Sequence, residues 1–210
     1  MRKFLLLLAV CCSLTMFSKG QGARFGFNAG ILSSTAKITS DNQTSSSKGR
    51  IGFNVGVLVD VMMGKDFSFQ PGLNFVQKGG KDDEGDQSVN ISLNFLELPL
   101  NFIYHAKGKT GSFLIGAGPS VSYGLSGKAK VTAAGLTVTQ TLHLGSSEND
   151  DLKRLEFGGN VLAGYEWKNG VLISFNYNIG LSNMSPQSGT TWKNYYAGLH
   201  VGFVLPDKRH

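Results

Sequence analysis

The residues that could do chemistry are few: Asp60, Glu97, Glu156 and Glu166, the amides Asn54 and Asn160, and His200. Four carboxylates and an imidazole are the raw material of acid–base work. Two carboxylates about 5 to 10 Å apart beside a substrate-sized cleft hydrolyse glycosidic bonds, and a histidine among acids moves protons or holds a metal. Each of these residues, however, sits in a run where every second position is apolar, so all seven belong to the polar face of strands. On a closed eight-stranded sheet that face lines an interior just wide enough to be filled by side chains. The seven then form a structural polar network in a packed lumen, with no cleft for a substrate. Buried charge must be paired, so Glu97 and at least one of Glu156 and Glu166 are expected to meet Arg, Lys or His inside. A proton or ion path through the lumen is the functional rival.

Other groups carry weaker signals. Asp82, Asp83, Glu84 and Asp86 offer oxygen ligands for Ca²⁺ but lack the spacing of a calcium loop. They read as solvated charge, as do Glu148, Asp150 and Asp151. His105, His143, His200 and His210 fall in no metal-ligand spacing. The chain has no Gly-x-Ser-x-Gly nucleophile motif and no phosphate loop, and Gly116-x-Gly118 runs into Pro119 within a strand. Asn42-Gln43-Thr44 matches a glycosylation sequon by chance. The reading is of no catalytic residue, no cofactor and no metal.

The elements that must position the seven are strands. Arg50 to Met62 places Ile51, Phe53, Val55, Val57, Val59 and Val61 on one face, with Gly52, Asn54, Gly56, Leu58 and Asp60 on the other. A period of two is a strand. At roughly 11 to 13 residues it outruns the ordinary strand of about 5 to 6, and it meets the roughly 9 to 11 that a tilted membrane-crossing strand needs. The same rhythm recurs at about Ala23–Ser33, Phe67–Gln77, Val89–Tyr104, Ser112–Leu125, Arg154–Trp167, Val171–Leu181 and Asn194–Leu205. In Val89–Tyr104 the apolar parity changes, from Val89, Ile91, Leu93 and Phe95 to Leu96, Leu98, Leu100 and Phe102. This predicts a bulge near Phe95-Leu96, with Pro99 close by. The connections after the second, fourth and sixth strands are short. Those after the first, third, fifth and seventh are long and polar, and the longest, Ser126–Lys153, reads as a small hairpin with a charged tip. Short turns at one end and long loops at the other are the pattern of an outer-membrane barrel. Phe25, Phe67, Tyr104, Tyr123, Trp167 and Tyr195 near strand ends supply its aromatic girdles.

Composition bounds the rest. The first residues, Arg2-Lys3, an apolar run from Phe4 to Phe17, and Ser18-Lys19-Gly20, form a secretory signal peptide. Cleavage is expected after Gly20, with Gly22 as the alternative. The domains are thus residues 1–20, the signal, and 21–210, the barrel. Both cysteines, Cys11 and Cys12, lie in the signal. A lipoprotein cut before Cys11 would follow Val10, a poor residue there. Without Arg2, Lys3 and Lys19 the count falls from 20 basic residues to 17 against 14 acidic. That balance gives no reason to invoke nucleic acid.

The motifs Gly26-Phe27-Asn28-Ala29-Gly30, Gly52-Phe53-Asn54-Val55-Gly56, Gln70-Pro71-Gly72-Leu73, Gln77-Lys78-Gly79, Phe95-Leu96-Glu97-Leu98-Pro99-Leu100 and Gly116-Ala117-Gly118-Pro119 resemble the small outer-membrane β-barrel proteins of Bacteroidota, the PorT-like group. The resemblance covers nearly the whole mature chain, and the Leu-Glu-Leu-Pro-Leu run is its most specific piece. It implies no catalytic residues. It does imply, for some members, a part in protein secretion.

The fold expected is therefore all-β: an eight-stranded antiparallel up-and-down transmembrane barrel in the bacterial outer membrane, with both mature ends periplasmic. Its partners are outer-membrane lipid, the barrel insertion machinery, and an envelope or secretion-complex protein met through the long loops. One rival is a secreted lipocalin-like barrel with its large apolar side chains turned inward around a small apolar ligand. Another is a narrow pore.

Overall fold

The computed structural model describes residues 22–206, except 42, 86, 146, 148 and 149. The signal segment, Cys11, Cys12, the sequon's Asn42, Asp86, Glu148 and His210 lie outside the described residues. The elements are β1 (Ala23–Ser40), β2 (Gln43–Ser46), β3 (Arg50–Met62), β4 (Phe67–Glu84), β5 (Gln87–Lys107), β6 (Gly111–Ala133), β7 (Leu136–Leu142), β8 (Leu144–Gly145), β9 (Leu152–Lys153), β10 (Leu155–Trp167), β11 (Val171–Gly180) and β12 (Thr190–Val204). Eight of them form a ring in the order β1, β3, β4, β5, β6, β10, β11 and β12, with every neighbouring pair antiparallel and β12 returning to β1. Closure satisfies every ladder and leaves no edge in the ring, which lipid requires.

The alternation sorts the side chains as the physics of the two solvents demands. Phe27, Ile51 and Ile115 on the outer face are 57%, 72% and 64% exposed, while Asn54, Asp60, Glu97 and His200 are buried in the lumen. The large apolar side chains thus face lipid, and the lipocalin-like arrangement, which needs them inside, is not the one adopted. At the end with tight turns the outer aromatics pack across strands: Phe67 tilted against Tyr104, with ring centroids 5.1 Å apart, and Phe113 edge-on to Tyr165 at 4.8 Å. Gly170, at φ +89°, closes the Asn169-Gly170 turn.

Three expectations are corrected. First, most of the long loops are strand. β4 runs to Glu84 and β5 starts at Gln87, so the polar segment expected between Lys78 and Ser88 is a hairpin. β1 likewise continues to Ser40 and pairs with β2. Above the apolar band both faces are polar, which erases the period-two signal, yet the anchored ladders continue upward. Second, the register shift lies at Asn94/Phe95 but the extra residue is on β6. Asn94 faces Ser126 and Phe95 faces Gly124, leaving Leu125 unmatched. The alternation of β5 therefore continues unbroken, and Leu93 and Phe95 point inward with Glu97. Pro99 marks a different irregularity, the skipped rungs between Pro71–Leu100 and Asn74–Glu97 in the β4–β5 ladder, because proline brings no N–H. Third, within Ser126–Lys153 only β6–β7 is a hairpin, turned at Ala134 (φ +49°) and Gly135 (φ +77°). Leu144 and Leu152 fold back over the barrel mouth and are buried.

Candidate functional site

The seven polar residues do not form one network. The lumen is stratified along its axis, and the register explains how. Glu156 and Glu166 are ten residues apart on β10, about 33 Å along an extended strand, so they face opposite ends of the barrel.

Near the end with the short turns, Arg24 on β1 lies directly opposite Asp60 on β3. Its Nη2 is 2.5 Å from Asp60 Oδ2, and its Nη1 donates to Glu166 across the lumen. Gln70 donates to the other oxygen of Asp60 at 3.4 Å. His105, buried at the end of β5, bonds Ser68 Oγ at 2.8 Å and lies 4.0 Å from Asp60. Above this cluster Leu58, Ile103, Leu114, Leu162, Leu172 and Val204 pack into an apolar floor.

The middle of the lumen is a belt of amides. Asn54 donates to Asn28 at 2.8 Å, Asn160 to Asn101 at 3.1 Å and Asn178 to Ser120 at 2.9 Å. A polar cavity of about 40 Å³ remains between them, lined in part by Asn28, Asn101, Asn160, Asn176, Glu97 and His200. That is room for about one water. Asn160 Oδ1, Asn176 Oδ1 and His200 Nε2 have no hydrogen-bond partner among the described residues.

The centre of charge lies above the belt. Lys78 is 1% exposed, and its Nζ is 2.8 Å from Glu97 Oε2 and 2.9 Å from Glu156 Oε2. The remaining carboxylate valences are filled as well. Tyr196 OH donates to Glu97 at 2.7 Å, Ser122 Oγ to Glu97 at 3.1 Å and Asn194 to Glu156 at 3.0 Å. The ammonium also lies over the rings of Phe95 and Tyr196, 5.1 and 5.4 Å from their centroids. Two carboxylates sharing one buried lysine, with every oxygen accepting a bond, is the satisfied arrangement that buried charge requires. The two acids grip one ammonium, and the cavity of about 40 Å³ that Glu97 lines is far smaller than a sugar substrate.

The roof is apolar. Leu93, Phe95, Leu144, Leu152 and Met184 cluster over the triad, with Ile91, Leu142 and Trp192 against them. Backbone bonds from Lys153 to Met184 (2.7 Å) and from Met184 to Trp192 (2.8 Å) tie the 143–153 and 181–189 segments together across the mouth. A continuous water path would have to pass both apolar layers and both ion clusters.

Sequence reasoning missed Lys78, Tyr196, Ser122, Asn194 and His105. Lys78 lies one residue beyond the strand read from alternation as Phe67–Gln77, and His105 one residue beyond Val89–Tyr104. One signal was present for Lys78: Gln70, Gly72, Asn74, Val76 and Lys78 share a parity, so an unbroken strand puts the lysine inside. Arg154, placed near a strand end by its sequence, lies outside the lumen, over the ring of Tyr123 and donating to Leu144 O.

A closed eight-stranded antiparallel barrel with an apolar outer belt and a solid polar lumen defines the class of small integral outer-membrane barrels. The chain belongs to the outer membrane protein beta-barrel domain family, whose model matches residues 18–186, and its place is the bacterial outer membrane. No curated protein matches it. Among solved structures it is similar to the outer membrane protein OprG from Pseudomonas aeruginosa, at 9% identity over 89% of this chain and 97% of that one, with a TM-score of 0.51. It is also similar to Neisserial surface protein A, at 14% identity over 87% and 98% with a TM-score of 0.47. The third is the attachment invasion locus protein Ail of Yersinia pestis, at 14% over 86% and 99% with a TM-score of 0.41.

Proposed function

We propose that the protein is a non-catalytic structural or binding component of the outer membrane, a PorT-like barrel of the Bacteroidota type. It is exported by residues 1–20 and is accessory to a secretion or envelope complex. The single observation that carries this reading is a contrast between inside and outside. The lumen is packed apart from a cavity of about 40 Å³ and is closed by apolar layers on either side, so function falls to the surface, and there the β6–β7 hairpin ends in an open edge. Among the described residues β7 pairs only with β6, and its sequence, Leu-Thr-Val-Thr-Gln-Thr-Leu, holds no charge and no proline. Leu136 and Val138 are 76% and 67% exposed. Edge strands exposed to water are ordinarily blunted by lysine, proline or bulges, and an unblunted one is a template for an added strand from a protein partner.

The test is co-purification from gently solubilised outer membranes, comparing the native chain with Thr139→Pro and Val138→Lys. A protein partner recovered with the native chain and lost from both variants, each still showing the boiling-dependent gel shift of a folded barrel, is the expected result. A chain that purifies alone, or with the same companions in all three forms, overturns the reading.

A further inference from the structure

The seam between β1 and β12 carries an ordered ladder of outward side chains. From the end with tight turns upward its rungs are Phe27–Phe203, Ala29–Val201, Ile31–Leu199, Ser33–Ala197, Thr35–Tyr195, Lys37–Lys193 and Thr39–Thr191. The intervening residues Leu32, Ser34, Ala36, Asn194 and Tyr196 are buried, which fixes both lysines on the outer face. The ladder thus passes from aromatic and aliphatic through small and amphipathic to cationic, then hydroxylic. Ten residues separate Phe27 from Lys37. At about 3.3 Å per residue and a tilt of about 40°, that is a rise of about 25 Å, the height of the apolar band of a membrane barrel. The two lysines therefore stand where the outer leaflet's acyl chains give way to headgroups. Tyr195 lies one rung below, at the level where amphipathic rings anchor.

Lys37 and Lys193 face each other directly in the register. Like charges so placed repel, with Cβ atoms about 5 Å apart. Elsewhere Lys81 pairs with Asp83 at 2.9 Å and Lys107 with Asp66 at 3.2 Å, but no other strand ladder among the described residues sets two lysines directly opposite each other. Among the described residues neither Lys37 nor Lys193 has an ion pair. A cationic pair that the protein leaves unneutralised, at headgroup height on a surface facing lipid, calls for an anion from the lipid itself.

We infer that Lys37 and Lys193 clamp a phosphate group on the headgroup of an outer-leaflet lipid. Two ammonium groups share its oxygens through charge-assisted hydrogen bonds, and the Tyr195 ring packs beside the first carbons of the acyl chains. The lysine stems reach up along the apolar surface to hold their charges in the headgroup layer. This site is separate from the β7 edge and stands whether or not that edge binds a partner.

The full chain, purified in a zwitterionic detergent, would be titrated with bis-phosphorylated lipid A, with dephosphorylated lipid A and with inorganic phosphate, and bound adducts counted by native mass spectrometry. The native chain should take up the phosphorylated lipid and not its dephosphorylated form. Lys37→Gln/Lys193→Gln should lower that uptake at least about tenfold, and Lys128→Gln/Lys130→Gln, a second cationic pair, should not. Folding of each variant is read from its gel shift. Stability adds a readout that a merely structural role would not produce. In detergent alone Lys193→Gln should be neutral or stabilising, since it relieves repulsion, and in lipid A bilayers it should be destabilising. Equal binding of phosphorylated and dephosphorylated lipid, undiminished binding by the double variant, or no reversal of sign overturns the proposal. Saturation by inorganic phosphate at the same concentrations would assign the site to free phosphate and overturn the lipid.

Discussion

Replacing Lys78 by Met should damage this barrel more than any other single polar substitution in the lumen. The change keeps an unbranched side chain against Phe95 and Tyr196 but removes the cation that Glu97 and Glu156 share at 2.8 and 2.9 Å. Tyr196, Ser122 and Asn194 still donate to the two carboxylates, so the loss is that of the ion pairs and not of every bond. Removing one partner of a buried pair costs about 3 to 5 kcal/mol, because the orphaned charge stays in a low dielectric. That lowers the folding equilibrium constant by two to almost four powers of ten. The assay is urea unfolding in lipid vesicles, followed by tryptophan fluorescence and by the boiling-dependent gel shift. The triple variant Lys78→Met/Glu97→Gln/Glu156→Gln removes the charges together and should recover to within about 1 kcal/mol of the native chain, since neutral replacement of a whole buried ion cluster is often tolerated. A single variant within about 1 kcal/mol of native would refute the reasoning, and so would a triple variant no better than the single one. In either case the triad would not be acting as a buried, mutually compensating unit.

Arg24→Leu strands Asp60 and Glu166 in the same way, but its side chain is 19% exposed at the mouth of the barrel. Water can solvate the remaining acids, so the cost in the same unfolding series should be about 1 to 3 kcal/mol and smaller than that of Lys78→Met. A Cβ at Gly30 would stand 2.5 Å from Leu199 O and 2.7 Å from Asn54 Oδ1. Gly30→Ala should therefore destabilise by about 1 to 3 kcal/mol, whereas Gly159→Ala, where nothing stands within 4 Å, should be near neutral. In planar bilayers the native barrel should show no stable open level above leak, and a persistent conducting state would contradict the two apolar layers. Hydrogen bonds from Lys81 and Ser88 hold the exposed Asp83 carboxyl below the ordinary carboxylate range. The bond thus contributes above the unfolded-state value and is lost as pH falls through the folded one. Lys81→Gln should move the Asp83 titration back upward in a carboxyl NMR titration.

Much of the architecture was legible because membrane strands obey a two-residue period that a reader can count. Arg50–Met62 declares its faces without help, and its bounds as β3 match those read from alternation. β10, from Leu155, begins one residue from the expected start for the same reason. Legibility failed where the physical contrast between faces faded. Lys78 stands within β4, six residues below its end at Glu84, where polar residues follow on both faces and the period-two signal fades after Gln77. At Leu93 and Phe95 the apolar side chains turn inward to roof the lumen, so apolar no longer meant lipid-facing. In the sequence this inversion looks the same as a bulge in β5, whereas the inserted residue is Leu125 on the neighbouring strand.

The sequence by itself determined the eight strands of the ring, which side chains share a face within the apolar band, and the demand that buried carboxylates find partners. These are local properties, set by alternation and turn chemistry within a dozen residues. Tertiary structure alone decided which partners they found. Lys78 meets a glutamate 78 positions away, and Glu97 takes its tyrosine from 99 positions away. Those distances are closed only by the stagger of eight strands around a ring, and a register slip of one residue would turn every one of these groups to the other face.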